Sequence, residues 1–410
     1  MKSGFVAILG RPNAGKSTLL NALTGEKVAI VSAKPQTTRN RIVGVVEVAA
    51  RKGQHPAAQI VFVDTPGVHK PGTQLDRRML QEVYEALETR DVVLVLMDAT
   101  RRVQLEAAAE PENTPGAPEP DDPDAALNPP EGFTFESSDS GLPQTPRLAD
   151  KDLAAGTQIA PLSAGTSKVP ASSPRRQRTN WASEDEFLFG LIRKVDCPVF
   201  LVLTKIDLVP KDHLLPLIDT LTKQFNFAQI IPISARKRDG LDILVRKIVD
   251  ALPKGERYYP ADQYTDQPQR FMVAELIRES ILVETGEEVP YASAVVIERF
   301  EEPAPFVPRK KGAVPARLPL TRIAAAIYCE RDGQKAILIG KGGAKLKEIG
   351  TGARRKIESL LGTRVYLELH VIVEPNWRES KGFIESLDWR NQLERLGTDQ
   401  SRATDAPEDE

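Results

Sequence analysis

The stretch Gly10-Arg-Pro-Asn-Ala-Gly15-Lys16-Ser17 determines the fold class of the first part of the chain. It matches the pattern G-x-x-x-x-G-K-[ST], follows a short apolar run at residues 5–9, and opens a predicted helix at residues 16–23. A strand, a glycine-rich turn and a helix in this order form a phosphate-binding loop, in which backbone N–H groups surround a β-phosphate. We therefore expect an α/β nucleotide-binding domain around this loop.

Two side chains of the loop carry the expected chemistry. Lys16 would reach the β- and γ-phosphates, and the Ser17 hydroxyl would coordinate Mg²⁺. An ordinary glycine-rich turn with a solvated lysine is the alternative, and the strand–helix context argues against it. The residues expected to hold the nucleotide here are Gly10, Arg11, Pro12, Asn13, Ala14, Gly15, Lys16, Ser17 and Thr18.

Alternating strands and helices continue outward from the loop. The run at residues 92–97 is apolar at every position, as in a strand that is buried on both faces of a parallel sheet. Strands that alternate with helices indicate βαβ units and a mostly parallel, doubly wound sheet. The other predicted strands lie at 60–63, 198–203 and 230–233, and the other predicted helices at 74–88, 186–194, 214–224 and 241–251.

The composition agrees with a globular protein of several domains. The chain has 410 residues, 41% hydrophobic and 27% charged, with a formal net charge of −2. These values exclude a collagen, a coiled coil and a wholly disordered chain, and no apolar run reaches the length of about 18 residues that a membrane span needs. The first residues resemble neither a signal peptide nor a transit peptide. Two distant cysteines, Cys197 and Cys329, favour a reducing cytoplasm over a disulfide framework.

Shifts in composition divide the chain into units. From residue 101 to about residue 180 it is rich in Pro, Ala, Ser, Asp and Glu and lacks apolar periodicity, which predicts a disordered insertion in a surface loop. The expected units are the nucleotide-binding domain at 1–100 and 181–252, the insertion at 101–180, a linker at 253–268, a second domain at 269–378 with a Pro-rich insert at 302–319, and a partly disordered tail at 379–410.

The tetrapeptide Asp64-Thr65-Pro66-Gly67 closes the predicted strand at 60–63. A carboxylate at this place can hold Mg²⁺ through water, and the backbone N–H of Gly67 can sense a γ-phosphate. Alone, the tetrapeptide would more often be a plain turn. Its position downstream of a phosphate loop favours a place in the nucleotide site.

The tetrapeptide Thr204-Lys205-Ile206-Asp207 ends the predicted strand at 198–203. The Asp207 carboxylate can accept the N1 and N2 protons of guanine, which adenine does not offer, and the Lys205 stem can lie along the base plane. The pair Ser234-Ala235, at the end of the next strand, would place backbone N–H groups near guanine O6. In order with the first two motifs, these residues predict that the nucleotide is GTP or GDP.

A polar segment, Gln36-Thr37-Thr38-Arg39, lies between the first two motifs. A threonine hydroxyl here could bind Mg²⁺ only while a γ-phosphate is present, which would make the segment a switch loop. A polar loop with Ser/Thr turns remains the alternative.

The second domain carries Gly340-Lys341-Gly342-Gly343, between an apolar turn at 336–339 and a basic helix at 344–361. In the KH fold a G-x-x-G loop clamps the backbone of about four single-stranded nucleotides. Between Lys341 and Lys356 six residues are basic and one is acidic, which suits phosphate contact. The alternative is a glycine turn before a solvated cationic helix. The predicted α-β-β-α-β order favours RNA binding, with Gly340, Lys341, Gly342, Gly343, Lys345 and Lys347 as the expected residues.

Together these motifs resemble those of the Era-type GTPases, which join a small GTPase domain to a C-terminal KH domain. The resemblance is carried by G-R-P-N-A-G-K-S-T-L-L-N, K-P-Q-T-T-R-N-R-I-V-G, F-V-D-T-P-G-V-H, Q-R-F-M-V-A-E-L-I-R-E and G-Q-K-A-I-L-I-G-K-G-G-A-K-L-K-E-I-G. It covers roughly residues 4–100, 181–300 and 321–378. It implies a P-loop GTPase domain followed by a type II KH domain.

The resemblance also implies a function: a GTP-hydrolysing switch in 30S ribosomal subunit maturation. Such proteins hold the three-prime tail of small-subunit ribosomal RNA in the GTP form and dissociate after hydrolysis. By position, Thr38 is the switch threonine and Asp64 the switch-II magnesium residue, and Lys16, Thr38 and Gly67 are the expected catalytic residues. Val68 stands where many small GTPases carry a water-orienting glutamine, so no catalytic side chain is assigned there.

Potassium is a further expectation. Similar GTPases with a phosphate-loop asparagine, here Asn13, suggest the hypothesis that a potassium ion replaces an arginine finger. Equal GTP turnover in sodium and potassium buffers would contradict it.

Some features depart from the family pattern. An asparagine is usual at Thr204, so the tether between the guanine motif and the phosphate loop is in question, although Asp207 keeps the base selectivity. Three alternatives remain: an RNA-binding scaffold with a structural nucleotide, a membrane-peripheral GTPase on the inner face of the plasma membrane, and an ATPase or kinase. The reading that we favour is a cytoplasmic, monomeric GTPase.

Overall fold

The computed structural model describes residues 1–32, 34–53, 55–107, 184–286, 288–303 and 318–392. The disordered insertion predicted at 101–180 lies outside these described residues from residue 108 onward, as do most of the insert at 302–319 and the end of the tail.

A six-stranded sheet forms the first domain. The strand order is β2-β3-β1-β4-β5-β6, with β2 antiparallel to β3 and the other neighbours parallel. This is the mostly parallel, doubly wound sheet that the alternation predicts. The strands are β1 (Lys2–Gly10), β2 (Ile42–Val48), β3 (Ala58–Asp64), β4 (Val92–Asp98), β5 (Val199–Thr204) and β6 (Gln229–Pro232).

Helices cover both faces of this sheet, because alternate residues of each buried strand point to opposite sides. In β1, Val6 and Ile8 pack into one apolar core, whereas Ala7 and Leu9 pack into the other. No helix in the described parts of the chain combines the length and the apolar character that a membrane crossing needs. The helices of this domain are α1 (Lys16–Thr24), α2 (Gln74–Glu88), α3 (Ala99–Ala107), α4 (184–192), α5 (Leu214–Thr222) and α6 (Leu241–Ala251).

Two features of this domain differ from the sequence-based expectation. Strand β2 was not predicted, because its residues I-V-G-V-V-E-V alternate between apolar and polar only near the end. Helix α3 was not predicted either, and it continues to Ala107, past residue 101 at which the insertion is expected to begin. Asp98 caps this helix by accepting from the Thr100 backbone N–H at 3.0 Å.

The linker at 253–268 runs along the edge of the sheet. The Val45 N–H donates to Tyr264 O at 2.9 Å, so the linker satisfies part of the open edge of β2. The buried Gln59 side chain accepts from the backbone N–H groups of Tyr258 and Tyr259 at 2.8 and 3.0 Å. These bonds fasten the connection between the two domains to the first domain.

The second domain has the α-β-β-α-α-β order of a type II KH domain. Its sheet order is β7-β8-β9, with β8 antiparallel to β7 and parallel to β9. The apolar turn expected at 336–339 is wrong, because these residues form the end of helix α8. The elements are α7 (Gln269–Glu284), β7 (Ala294–Glu301), β8 (Leu320–Cys329), α8 (Asp332–Ile339), α9 (Ala344–Leu361) and β9 (Arg364–Val373).

The described part of the C-terminal tail folds back onto α2 of the first domain. It contains a short helix, α10 (Lys381–Ser386). Just before the tail, the fully buried Trp377 at the end of the KH domain shares an apolar cluster with Leu75 and Met79 of α2. Beside this cluster, Arg78 of α2 pairs with Asp388 at 2.5 Å. The tail therefore joins the two domains.

Glu82 of α2 is the centre of a charged network at this junction. Its carboxylate is fully buried and contacts Arg78 at 2.8 Å, Arg390 at 3.1 Å and Arg41 at 3.6 Å. One buried carboxylate thus contacts three guanidinium groups from three segments of the chain, and Glu85 and Asp388 complete the network.

Replacing Glu82 by alanine should lower the free energy of unfolding by about 2 kcal/mol or more, because it removes the fully buried carboxylate of the network and leaves its arginines with only the partners at Glu85 and Asp388. Urea unfolding followed by circular dichroism measures this loss. The matched control is Glu85→Ala, which removes a carboxylate of the same helix that is 30% exposed and is expected to cost less than about 1 kcal/mol. Equal losses in the two variants would contradict the central role of Glu82.

Candidate functional site

The phosphate loop connects β1 to α1 and has a conformation that requires glycine. Gly15 has a φ of 90°, and a Cβ at Gly10 would lie 2.6 Å from Leu96 O. The buried Lys16 ammonium donates to Gly10 O and Arg11 O, each at 3.0 Å. Burial lowers the pKa of Lys16 to about 8, against the opposing effect of the Asp64 carboxylate. The lysine is thus held inside the loop by neutral carbonyl groups.

Three oxygen atoms converge beside this lysine. Ser17 Oγ donates to Asp64 Oδ2 at 2.7 Å and lies 2.8 Å from Thr38 Oγ1. Burial raises the pKa of Asp64 to about 6, although the Lys16 charge and the Ser17 hydroxyl oppose the shift. The second carboxylate oxygen of Asp64, Oδ1, is buried without a hydrogen-bond partner among the described residues. Hydroxyl and carboxylate oxygens are the donors that Mg²⁺ prefers, so this cluster fits that ion.

The residues after Asp64 pack directly on the phosphate loop. Thr65 Oγ1 donates to Ile8 O at 2.8 Å, and the Val68 N–H donates to Gly10 O at 3.0 Å. A Cβ at Gly67 would lie 2.8 Å from Pro12 N, so only glycine allows this approach. The Val68 side chain is 1% exposed and lies in the core. A water-orienting side chain is therefore not available at that position.

The guanine motif lines a cavity of about 350 Å³ next to the phosphate loop. Lys205 adopts a φ of 60°, and its ammonium group donates to Asp98 Oδ2 at 2.7 Å. The same cavity is also lined by Asp207, Ser234 and Ala235.

Thr204 makes the contact between the guanine motif and the phosphate loop that the absence of the usual asparagine had left in question. Its hydroxyl is buried and donates to Ala14 O at 2.8 Å, with Met97 O at 3.3 Å as a weaker acceptor. The guanine motif is therefore hydrogen-bonded to the phosphate loop, although threonine replaces the usual asparagine.

Some predicted residues contribute through packing and line neither the guanine cavity nor the phosphate cavity, a smaller cavity that is lined by Lys16, Ser17 and Thr38. The Arg11 guanidinium pairs with Glu184 and lies 3.5 Å from Asp185, at the start of α4. Ala14 is buried, and Pro66 is buried with it. Thr18, by contrast, lines both the phosphate cavity and the guanine cavity.

Asp98 was not predicted as part of the site. It ends β4 and lies opposite Thr204 in the pairing of β4 with β5, which brings its carboxylate to Lys205. The signal in the sequence was an aspartate directly after a fully apolar strand, which is weaker than the D-T-P-G tetrapeptide that identified Asp64.

The second site is a groove on the KH domain with a volume of about 420 Å³. Positive φ angles at Gly340, Gly342 and Gly343 form the G-x-x-G loop at one end. The predicted Lys345 pairs instead with Glu348 at 2.5 Å and with Glu284 at 3.6 Å. The residues that line the groove are Gly343, Leu346, Lys347, Gly350, Thr351, Arg354, Val365, Tyr366, Leu367 and Leu369.

The chain is similar to known proteins over nearly its full length. A family model described as 50S ribosome-binding GTPase matches residues 5–116, and a KH domain model matches residues 288–378. GTPase Era of Ruminiclostridium cellulolyticum is 34% identical over 389 residues, which cover 95% of this chain and 98% of that protein. GTPase Era of Lacticaseibacillus paracasei is 38% identical over 387 residues, which cover 94% of this chain and 96% of that protein.

Two solved structures are similar to this fold. A variant of Aquifex aeolicus Era bound to GDP and AlF₄⁻ has a TM-score of 0.67 and 33% identity, with 95% of this chain and 99% of that chain covered. Era in complex with MgGDPNP and nucleotides 1506–1542 of 16S ribosomal RNA has a TM-score of 0.68 at the same identity and coverage. With a GTPase domain, a KH domain and this identity to its relatives, the chain belongs to the GTPase Era family.

Proposed function

We propose that the protein is a GTP-hydrolysing switch that binds the three-prime tail of small-subunit ribosomal RNA during 30S maturation. The observation that carries the proposal is the continuity of the phosphate and guanine cavities, which share lining residues and together form one cleft. The residues shared by the two cavities are Asn13, Gly15, Thr18, Val31 and Ser32.

In this proposal the phosphates lie on the loop between β1 and α1. The backbone N–H groups of the loop and the Lys16 ammonium would contact the β- and γ-phosphates. Ser17, Thr38 and Asp64 would hold Mg²⁺, which neutralises charge on the β- and γ-phosphate oxygens when bound. The unpartnered Asp64 Oδ1 supports this role, because a buried carboxylate oxygen needs a donor or a cation.

Hydrolysis would depend on positioning and charge rather than on a side-chain base. Lys16 and the Gly67 N–H would stabilise the charge that develops on the γ-phosphate. The burial of Val68 supports this view, since the position leaves no polar side chain to orient water. Asn13, which has a φ of 64° and lines both cavities, is the residue for the potassium hypothesis.

The base would be selected at the other end of the cleft. The Asp207 carboxylate would accept from guanine N1 and N2, while the backbone near Ser234 and Ala235 would donate to O6. Lys205, held by Asp98, would cover the base with its aliphatic stem. GDP and GTP would both bind, because these contacts do not involve the γ-phosphate.

The KH groove would take the RNA. Glycines at the G-x-x-G loop allow the phosphate backbone to approach, and Lys347 and Arg354 supply positive charge along the groove. The solved Era complex with 16S ribosomal RNA nucleotides supports this choice of ligand. The protein would act in the cytoplasm, where 30S subunits mature.

A direct test is the affinity for a short oligonucleotide with the small-subunit tail sequence, measured with a non-hydrolysable GTP analogue and with GDP. Clearly tighter binding with the GTP analogue is the expected result. Lys347→Gln should weaken binding and reduce the slope of log affinity against log salt by about 0.7. Lys211→Gln, at an exposed lysine of the GTPase domain, is the control. Equal affinities in both nucleotide states would favour a scaffold, and no binding would contradict the RNA assignment.

Asp207→Asn should exchange the base preference of the protein. The amide cannot accept two protons from guanine, but it can donate to the C2 carbonyl of xanthine. GDP affinity is expected to fall at least about a hundredfold, with XDP becoming the better ligand. Competition between fluorescent GDP and XDP measures the exchange. Asp212→Asn, at an exposed aspartate of the same region, should change neither affinity.

Nucleotide affinity should fall at alkaline pH. The pKa of Lys16 is about 8 in the free protein, so above this pH the neutral amine must take up a proton before it can contact phosphate. Between pH 7 and pH 9 we expect GDP affinity to decrease about tenfold. Fluorescence anisotropy of labelled GDP measures it. Lys16→Met should bind weakly and without this pH dependence, and a wild-type protein with constant affinity would contradict the assignment.

A further inference from the structure

The residues on either side of Thr38 are held by the KH domain. Arg278 of α7 donates to the carbonyl oxygen of Thr37. The Arg39 guanidinium donates to Ser293 O at 2.7 Å and to Tyr291 O at 2.9 Å, in the loop that leads into β7. Thr38 itself faces the other way, with its hydroxyl 2.8 Å from Ser17 Oγ. Three consecutive residues thus alternate between the two domains.

Trp377 builds the pocket that receives Arg39. Its indole N–H donates to Ala292 O at 2.9 Å, within the loop whose neighbouring carbonyls accept from Arg39. The indole ring lies 5.7 Å from the Arg39 guanidinium carbon, which places the cation near its face. Trp377 is fully buried. We call the Trp377 side chain and the carbonyls of residues 290–293 the arginine pocket.

The same tryptophan also contacts the segment that follows the Asp64 motif. Its apolar cluster includes Leu75 and Met79 of α2, the first helix after that motif. One KH-domain side chain therefore contacts both Arg39, next to Thr38, and helix α2, which follows the Asp64 motif.

The arginine pocket stabilises Arg39 only while its carbonyl groups keep their orientation toward the guanidinium. Arg39 is 9% exposed, and burial is the largest cause that lowers its pKa, to about 9, with the Arg278 charge adding to the effect. Its described acceptors are backbone carbonyls, which stabilise a buried cation only when their dipoles point at it. If the loop at residues 290–293 moved, Arg39 would therefore leave the pocket instead of keeping lengthened hydrogen bonds. The contact thus has two states, formed and broken.

We propose that Arg39 is a positioning residue: its seat in the arginine pocket fixes Thr38 beside Ser17 and Asp64, so that the placement of the KH domain sets how well the GTPase site holds magnesium and the γ-phosphate. The proposal rests on the proposed function, since it concerns the same metal site. By reciprocity, a ligand that moves the KH domain changes the apparent affinity for magnesium, and magnesium changes the affinity for that ligand.

The test is the affinity for a fluorescent non-hydrolysable GTP analogue as a function of magnesium concentration, which needs no turnover. Arg39→Gln should raise the half-saturating magnesium concentration about tenfold. Its affinity for GDP in the presence of a chelator should stay within about twofold of wild type, because the guanine cavity and the loop are untouched. Trp377→Phe keeps the apolar cluster but loses the indole N–H, and it should produce a smaller shift in the same direction.

Lys27→Gln is the matched control. Lys27 pairs with Glu279 of α7 at 2.7 Å, so its loss also removes a positive charge from the domain contact, but at a distance in sequence from Thr38. We expect this variant to keep the wild-type magnesium dependence. If Lys27→Gln raised the half-saturating magnesium concentration as much as Arg39→Gln, any weakening of the contact between the domains would be enough to cause the effect. That result would overturn the proposal.

A second readout uses reciprocity. In the wild-type protein, the RNA oligonucleotide should change the half-saturating magnesium concentration, whereas in Arg39→Gln it should not. A folded Arg39→Gln protein, verified by thermal unfolding, with wild-type magnesium and RNA responses would overturn the proposal. If that variant does not fold, unchanged magnesium dependence in Trp377→Phe has the same meaning. Failure of the wild-type protein itself to bind the analogue with magnesium would instead refute the proposed function.

Discussion

Two buried groups of opposite charge, Lys16 and Asp64, are the constraint around which the GTPase domain is organised. Burial moves the pKa of each toward its neutral form, to about 8 for the lysine and about 6 for the aspartate. Both lie at the carboxyl end of the sheet, because β1 and β3 are parallel neighbours in which Ile8 pairs with Asp64. A site that keeps charged groups out of water at this cost is suited to a ligand of complementary charge.

The backbone around these two groups leaves little room for change. The approach of Gly67 to Pro12 brings the Asp64 motif onto the phosphate loop, and Thr204 holds the guanine motif to the same loop through Ala14. Three strand ends are thus joined at one turn of the chain. The KH domain adds a fourth connection through Arg39, the residue directly after Thr38, whose hydroxyl lies beside Ser17 Oγ.

Helix boundaries were predictable where the local chemistry of the chain marks them. Helix α2 begins after a capping box of Thr73 and Asp76, and α9 ends before Gly362 in the left-handed conformation. Strand β2 and helix α8 were missed, because a short element with an irregular apolar pattern is formed by its neighbours rather than by its own periodicity. The predicted motif residues meet at one cleft, whereas Asp98, the buried Glu82 and the arginine pocket had no signal of comparable strength.

The sequence by itself determined the chemistry of the site. It identified the loop that curves around the phosphates, the charged side chains that contact them, and guanine as the base that is bound. Each of these depends on residues within one short motif, since φ angles and strand–turn–helix geometry are local properties. Only the tertiary structure decided the partners of those residues. The contact of Arg39 with Ser293 spans 254 positions of the chain and that of Arg78 with Asp388 spans 310. Such contacts depend on how two complete domains pack. A buried charged group needs a partner that is close in space, and the sequence separation of the two residues does not show which partner that is.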